Sequence, residues 1–126
     1  FVVIDNEAGM EHLSRRTTNH VDLLCIVAEP TPVGSLTARR ISELARQLPI
    51  VVKRTGVLWN RNGADSPSHE GLEALEMLAC VPEDALVLEA SRRGENVFAL
   101  PGEIPAFQAV RTMVESLFAT PFARQR

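Results

Sequence analysis

Asp5 and Gly9 are the first residues whose types and spacing suit chemistry. Asp5 ends the apolar run Phe1-Val2-Val3-Ile4, and Gly9 follows four positions later. Three of the four apolar residues are β-branched, and an uninterrupted run of this kind suits a strand buried on both faces of a parallel sheet. In open parallel sheets ligands sit beyond the carboxyl ends of the strands. Asp5 is therefore expected at such an end, aimed at a site. Gly9 has no Cβ, so its backbone can approach a phosphate closely. The plainer alternative is a buried strand followed by an acidic turn. Glu11, His12 and Asp5 also cluster in sequence, as acid–base work would require. No Ser/His/Asp or Cys/His set falls on strand ends, and neither His12 nor His20 has a second ligand at metal spacing.

A second chemical position lies at Asn60-Arg61, after the run Thr55-Gly56-Val57-Leu58-Trp59. A carboxamide at a strand end presents a donor and an acceptor together, as a purine edge requires. A turn residue is the plainer reading of such an Asn.

The elements that must hold these residues follow from hydrophobic patterning. Val21–Ala28 reads as a buried strand stopped at Glu29-Pro30, because proline cannot donate to a ladder. Thr31 to Ser35 reads as a turn into a helix from about Ser35 to Leu48. Ile41, Leu44, Ala45 and Leu48 follow the helical spacing, Arg39, Arg40, Glu43 and Arg46 take the wet face, and Pro49 closes it. Thr55–Asn60 is a third strand, with Ile50–Lys53 before it ambiguous. His69 to Met77 reads as a short helix carrying Leu72 and Leu75 inward, and Leu78–Val81 as a short strand ending at Pro82. Ala85–Arg93 suits either a strand, by its Leu86-Val87-Leu88 run, or a helix ended by Gly94. Asn96–Leu100 reads as extended. A final helix over about Ile104 to Phe118 places Phe107, Val110, Met113, Val114, Leu117 and Phe118 on one face. Strand–helix–strand order of this kind predicts an α/β fold with a mostly parallel sheet and flanking helices.

Composition bounds the function classes. The chain has 126 residues, one domain at most, with 45% apolar and 23% charged residues. A net charge of −3 argues against a nucleic-acid binder driven by phosphate contacts. No apolar run approaches the ~20 residues of a membrane span. Cys25 and Cys80 lie far apart in apolar segments, which reads as two buried thiols in a reducing cytoplasm. The chain opens at Phe1, within an expected strand and without methionine, and is read as a fragment.

Taken in order, Val2-Val3-Ile4-Asp5 with Gly9, Glu29-Pro30-Thr31, Val57-Leu58-Trp59-Asn60-Arg61, Val81-Pro82-Glu83-Asp84, Glu89-Ala90 before Gly94, and a closing amphipathic helix resemble the C-terminal half of the deviant-Walker P-loop ATPases. That group holds the MinD/ParA partitioning ATPases, the nitrogenase iron protein and the cobyrinic acid a,c-diamide synthase relatives. Within it, Asp5 through Arg16 most resembles the accessory ATPase that inserts nickel into carbon monoxide dehydrogenase. The resemblance covers almost the whole chain.

The resemblance implies roles residue by residue. Asp5 would hold the Mg2+ shell, through a water. Gly9 would offer its N–H to the γ-phosphate of ATP and shift when that phosphate leaves. Asn60, with Arg61 beside it, would bind the adenine, and Pro82 and Asp84 would lie near the base. Glu11, His12, Arg15 and Arg16 would relay nucleotide state to a partner. That partner would be a metalloenzyme client or another protein, and the parent would be a homodimer in the cytoplasm, without direct nucleic-acid contact.

One departure qualifies this. The family's phosphate cradle ends in Gly-Lys-Ser/Thr, whereas the single lysine here, Lys53, follows Val52. The expectation is an incomplete P-loop fold, lacking the strand and loop that would sit between the Asp5 strand and Val21–Ala28, and inactive alone. The sheet would then close the gap, leave Phe1–Ile4 displaced, or pair with a second copy. The alternative is a stand-alone α/β interaction module without nucleotide.

Overall fold

A computed structural model describes residues 2–6, 20–63, 72 and 75–119. Three parallel strands, β1 (His20–Ala28), β2 (Val51–Asn62) and β3 (Glu76–Pro82), lie in the order β1-β2-β3. Helices α1 (Pro32–Gln47), α2 (Ala85–Arg93) and α3 (Pro105–Ala119) accompany them, with a 3-10 turn at Val97–Ala99. The expected parallel α/β architecture is present.

β2 is the central strand, and its sequence explains why. Val57, Leu58 and Trp59 are all buried, so both faces of the strand are covered. Val57 and Trp59 join Ile26, Ala38, Leu72 and Leu75 in one core, on the side that α1 covers. Leu58 joins Val81 and Ala106 in a second core on the opposite face, under α3. Burying each large apolar side chain contributes roughly 1.5–3 kcal/mol, so this three-residue run ties the two layers together.

Two irregularities shape the β2–β3 pair. Val57 pairs with Met77 but Leu58 with Ala79, which leaves Leu78 as an extra residue on β3. Gly56 makes this possible: a Cβ there would run into the Leu78 side chain at 2.5 Å. The second irregularity lies at the carboxyl end, where Trp59 pairs with Cys80 and Asn62 with Pro82. Here the extra residue is on β2, and Arg61 accommodates it in the left-handed region at φ 55°. Such bulges re-aim side chains next to functional sites.

Helix boundaries have local causes. Thr31 caps α1, its hydroxyl accepting from Gly34 N–H at 3.0 Å, and Pro32 occupies the first turn, where its missing donor costs nothing. Asp84 caps α2, its Oδ1 accepting from Leu86 N–H at 2.9 Å and Val87 N–H at 3.4 Å. Gly94 closes α2 at φ 65°, and Glu95 N–H reaches back to the Ala90 carbonyl at 2.9 Å. These caps decide the Leu86–Leu88 ambiguity in favour of helix.

Several expectations need correction. Val2, Val3 and Ile4 form no strand and are exposed, Val3 at 92%. A strand buried on both faces needs neighbours, and β1 pairs only with β2 among the described residues. The outcome matches the displaced arrangement among the three expected. Glu76 and Met77 belong to β3, so the expected helix does not reach Met77; Leu72 and Leu75 are buried as expected. Ile50–Lys53 resolves as the entry to a longer β2 beginning at Val51, and Asn96–Leu100 contains a 3-10 turn where an extended segment was expected. On α1 the buried positions are Ala38, Ser42 and Ala45, with Leu44 exposed. On α3, Ala106, Ala109 and Met113 meet the sheet, whereas Val110, Val114 and Phe118 stay exposed. Small residues let each helix approach closely, so larger side chains are turned aside.

Candidate functional site

The carboxyl ends of the three strands define one rim, and the chain places Glu29, Asn60-Arg61-Asn62 and Pro82-Glu83-Asp84 on it. Four of the expected site residues, Asn60, Arg61, Pro82 and Asp84, are thereby brought to adjacent strand ends. The β2–β3 rim is stitched by the backbone, since Glu83 N–H donates to the Asn62 carbonyl at 3.1 Å. Asn60 and Pro82 are half-buried. Asp84 commits one carboxylate oxygen to the first turn of α2.

Arg61 organises the rim electrostatically. Its Nη1 lies 3.1 Å from Glu29 Oε1 at the end of β1. Its Nη2 lies 3.6 Å from Glu83 Oε1 beyond β3. All three side chains are about half exposed, so each pair contributes little stability, about 0–1 kcal/mol. Their effect is geometric. Glu29 is a rim residue that the sequence reading left unassigned. Its available signal was the place at a strand end before Pro30.

One polar atom at the rim stands out. Asn62 Oδ1 is buried without a hydrogen-bond partner among the described residues. A buried acceptor left unmade costs about 1–3 kcal/mol, so this position suits a ligand that supplies a donor. An amino group on a purine base is of that kind.

The remaining expected residues lie elsewhere. Asp5 is exposed on the segment outside the sheet, not at a strand end as expected. Gly9, Glu11, His12, Arg15 and Arg16 fall outside the described residues. Among the described residues no group of three His, Cys, Asp or Glu side chains could hold a metal ion. Cys25 and Cys80 are free. Cys25 is exposed, contrary to expectation, because α3 covers the sheet on the β3 side; partial burial around its sulfur still pushes the thiol above its ordinary range. No described helix is long and apolar enough to cross a membrane.

An open parallel sheet with polar residues on its carboxyl rim is shared by many α/β folds, and structural similarity places this one with the MinD/ParA-type P-loop ATPases. The cell division ATPase MinD of Pyrococcus furiosus superposes with TM-score 0.61 over 78% of this chain and 43% of its own, at 16% identity. MinD of Pyrococcus horikoshii, solved with Mg-ADP, gives 0.59 over 82% and 44%, at 18% identity. A ParA family ATPase of Chlorobium tepidum gives 0.59 over 76% and 40%, at 18% identity.

Sequence similarity narrows the class. The chain is 32% identical over 97% of its length to an ATP-binding protein of Methanocaldococcus jannaschii, of which it spans 50%. It is 35% identical over 79% of its length to the carbon monoxide dehydrogenase accessory protein CooC of Rhodospirillum rubrum, of which it spans 38%. No family model matches. The chain belongs to the family of ATP-binding proteins that includes these relatives, and spans half their length or less.

Proposed function

We propose that these 126 residues form the C-terminal part of a single P-loop ATPase domain and supply its base-binding rim. The observation that carries this reading is the convergence of Asn60, Arg61, Pro82 and Asp84 at the β2–β3 rim, beside Asn62 Oδ1, which has no partner among the described residues. Asn60 binds adenine through its amide, and Pro82 and Asp84 border the base. Asp5 and Gly9 belong to the phosphate side, where Asp5 would hold the water shell of Mg2+ and Gly9 would sense the γ-phosphate. In the whole protein ATP hydrolysis would drive nickel insertion into a metalloenzyme client, or partitioning, with two copies acting together. Similarity to the CooC accessory protein supports the first of these uses.

Phosphoryl transfer relies almost wholly on positioning and charge neutralisation. The 126-residue sequence contains no Gly-Lys-Ser/Thr cradle, so it should not turn over ATP alone. The test compares Mg2+-dependent phosphate release by the 126-residue chain with that of a longer polypeptide carrying an upstream Gly-Lys-Ser/Thr loop. Activity only in the longer chain is expected. Turnover by the 126 residues alone refutes the division of labour, and absence of ATP binding by the longer chain refutes the nucleotide reading.

A further inference from the structure

We propose that Glu29, together with Glu83, is a positioning residue that sets affinity for the base by holding the Arg61 guanidinium as the base-side wall of the rim. This rests on the nucleotide reading above and adds residues that it does not assign.

Three observations converge. First, Arg61 is the only described non-glycine residue with positive φ, at 55°. The bulge places it there, and the left-handed conformation costs roughly 1–2 kcal/mol in a residue with a side chain. An arginine in that place is best explained by what its side chain does.

Second, the two terminal nitrogens are engaged from opposite sides, Nη1 by Glu29 from β1 and Nη2 by Glu83 from β3. Two anchors in different directions restrict rotation of the planar group. They also compensate its charge. A phosphate at Arg61 would have to displace two carboxylates, whereas a base can stack on the guanidinium face without breaking either pair. The chemistry therefore favours the base over the phosphates.

Third, both carboxylates hang from constrained backbone. The Glu29 carbonyl accepts Thr31 N–H at 2.8 Å, and a Cβ on Gly34 would collide with that same carbonyl. The first turn of α1 thus packs directly on Glu29. Glu83 N–H is held by the Asn62 carbonyl at 3.1 Å. Arg61 is consequently paired with carboxylates at the starts of both α1 and α2, one beside the Asp84 cap and one two residues before the Thr31 cap.

The experiment measures ATP and inorganic tripolyphosphate affinities, both with Mg2+, of the full-length polypeptide carrying this chain. The two ligands share a triphosphate, and only ATP carries a base. Their affinity ratio therefore cancels most of the general electrostatic effect of removing a carboxylate. Glu29→Gln should lower the preference for ATP over tripolyphosphate about two- to fivefold, the scale of an exposed ion pair. In an Arg61→Met background the same change should leave the ratio unaltered, because Glu29 acts through Arg61. Glu83→Gln provides a second variant with the same expected direction, should Glu29→Gln fail to fold. If Glu29→Gln shifts both affinities equally, Arg61 serves the phosphate side and the proposal is overturned. An unchanged ratio with unchanged affinities overturns it too. A wild-type protein that binds ATP without preference, or not at all, defeats the adenine reading itself and the proposal with it.

Discussion

Arg54 grips Glu76 with both ends of its fork: Nη2 lies 2.8 Å from Oε1 and Nε 3.3 Å from Oε2. The pair joins β2 to the first residue of β3, just before the bulge at Leu78. A planar, two-point contact specifies register as well as attraction. Glu76→Gln should lower the unfolding free energy by about 0.5–1 kcal/mol, discounted for partial exposure. Urea titration checks this, and the loss should shrink at high salt.

Arg61→Gly separates stability from function. Glycine adopts φ 55° without strain, while the two ion pairs lost are each worth little. Stability should stay level or rise by about 1 kcal/mol. Nucleotide affinity of the full-length protein should fall. A thermal melt and a titration on the same sample report both quantities. A clear drop in melting temperature would show the ion pairs to be mainly structural.

Asp84→Ala removes the cap of α2 and should cost about 1 kcal/mol. Asp84→Asn retains an acceptor oxygen for Leu86 N–H and should recover most of that stability. Comparing nucleotide binding of the two variants then separates the cap from the carboxylate charge.

Partial burial pushes the Cys25 thiol above its ordinary range, which disfavours the thiolate. Because the folded value exceeds the unfolded one, the associated stability is fully present below the unfolded value and is lost as pH rises through the folded one. Alkylation at pH 8 should therefore be slower for Cys25 in the native chain than for the same residue in urea. Mass-resolved labelling separates it from Cys80. Equal rates would contradict the shift.

Local chemistry made much of the order of elements legible. β1 is an apolar run with Pro30 as its stop, α1 has periodic spacing and Pro49, and the rim residues Asn60, Pro82 and Asp84 follow runs that the sequence alone marks as strands or their ends. These readings depend on backbone constraints and burial periodicity, which act within a few residues. The family resemblance was likewise carried by the order of such short stretches.

Tertiary contacts decided the rest. Val2–Ile4 has the composition of an inner strand, but strand formation requires a partner ladder, which composition cannot supply. The buried face of α3 runs through Ala106, Ala109 and Met113 because β3 and Leu58 lie there, although Val110, Val114 and Phe118 are the more hydrophobic choice. Glu29 and Arg61 are 32 residues apart in sequence, and only the parallel pairing of β1 with β2 brings their charges together. Periodicity tells a residue which kind of element it belongs to; its partner depends on which strands lie side by side.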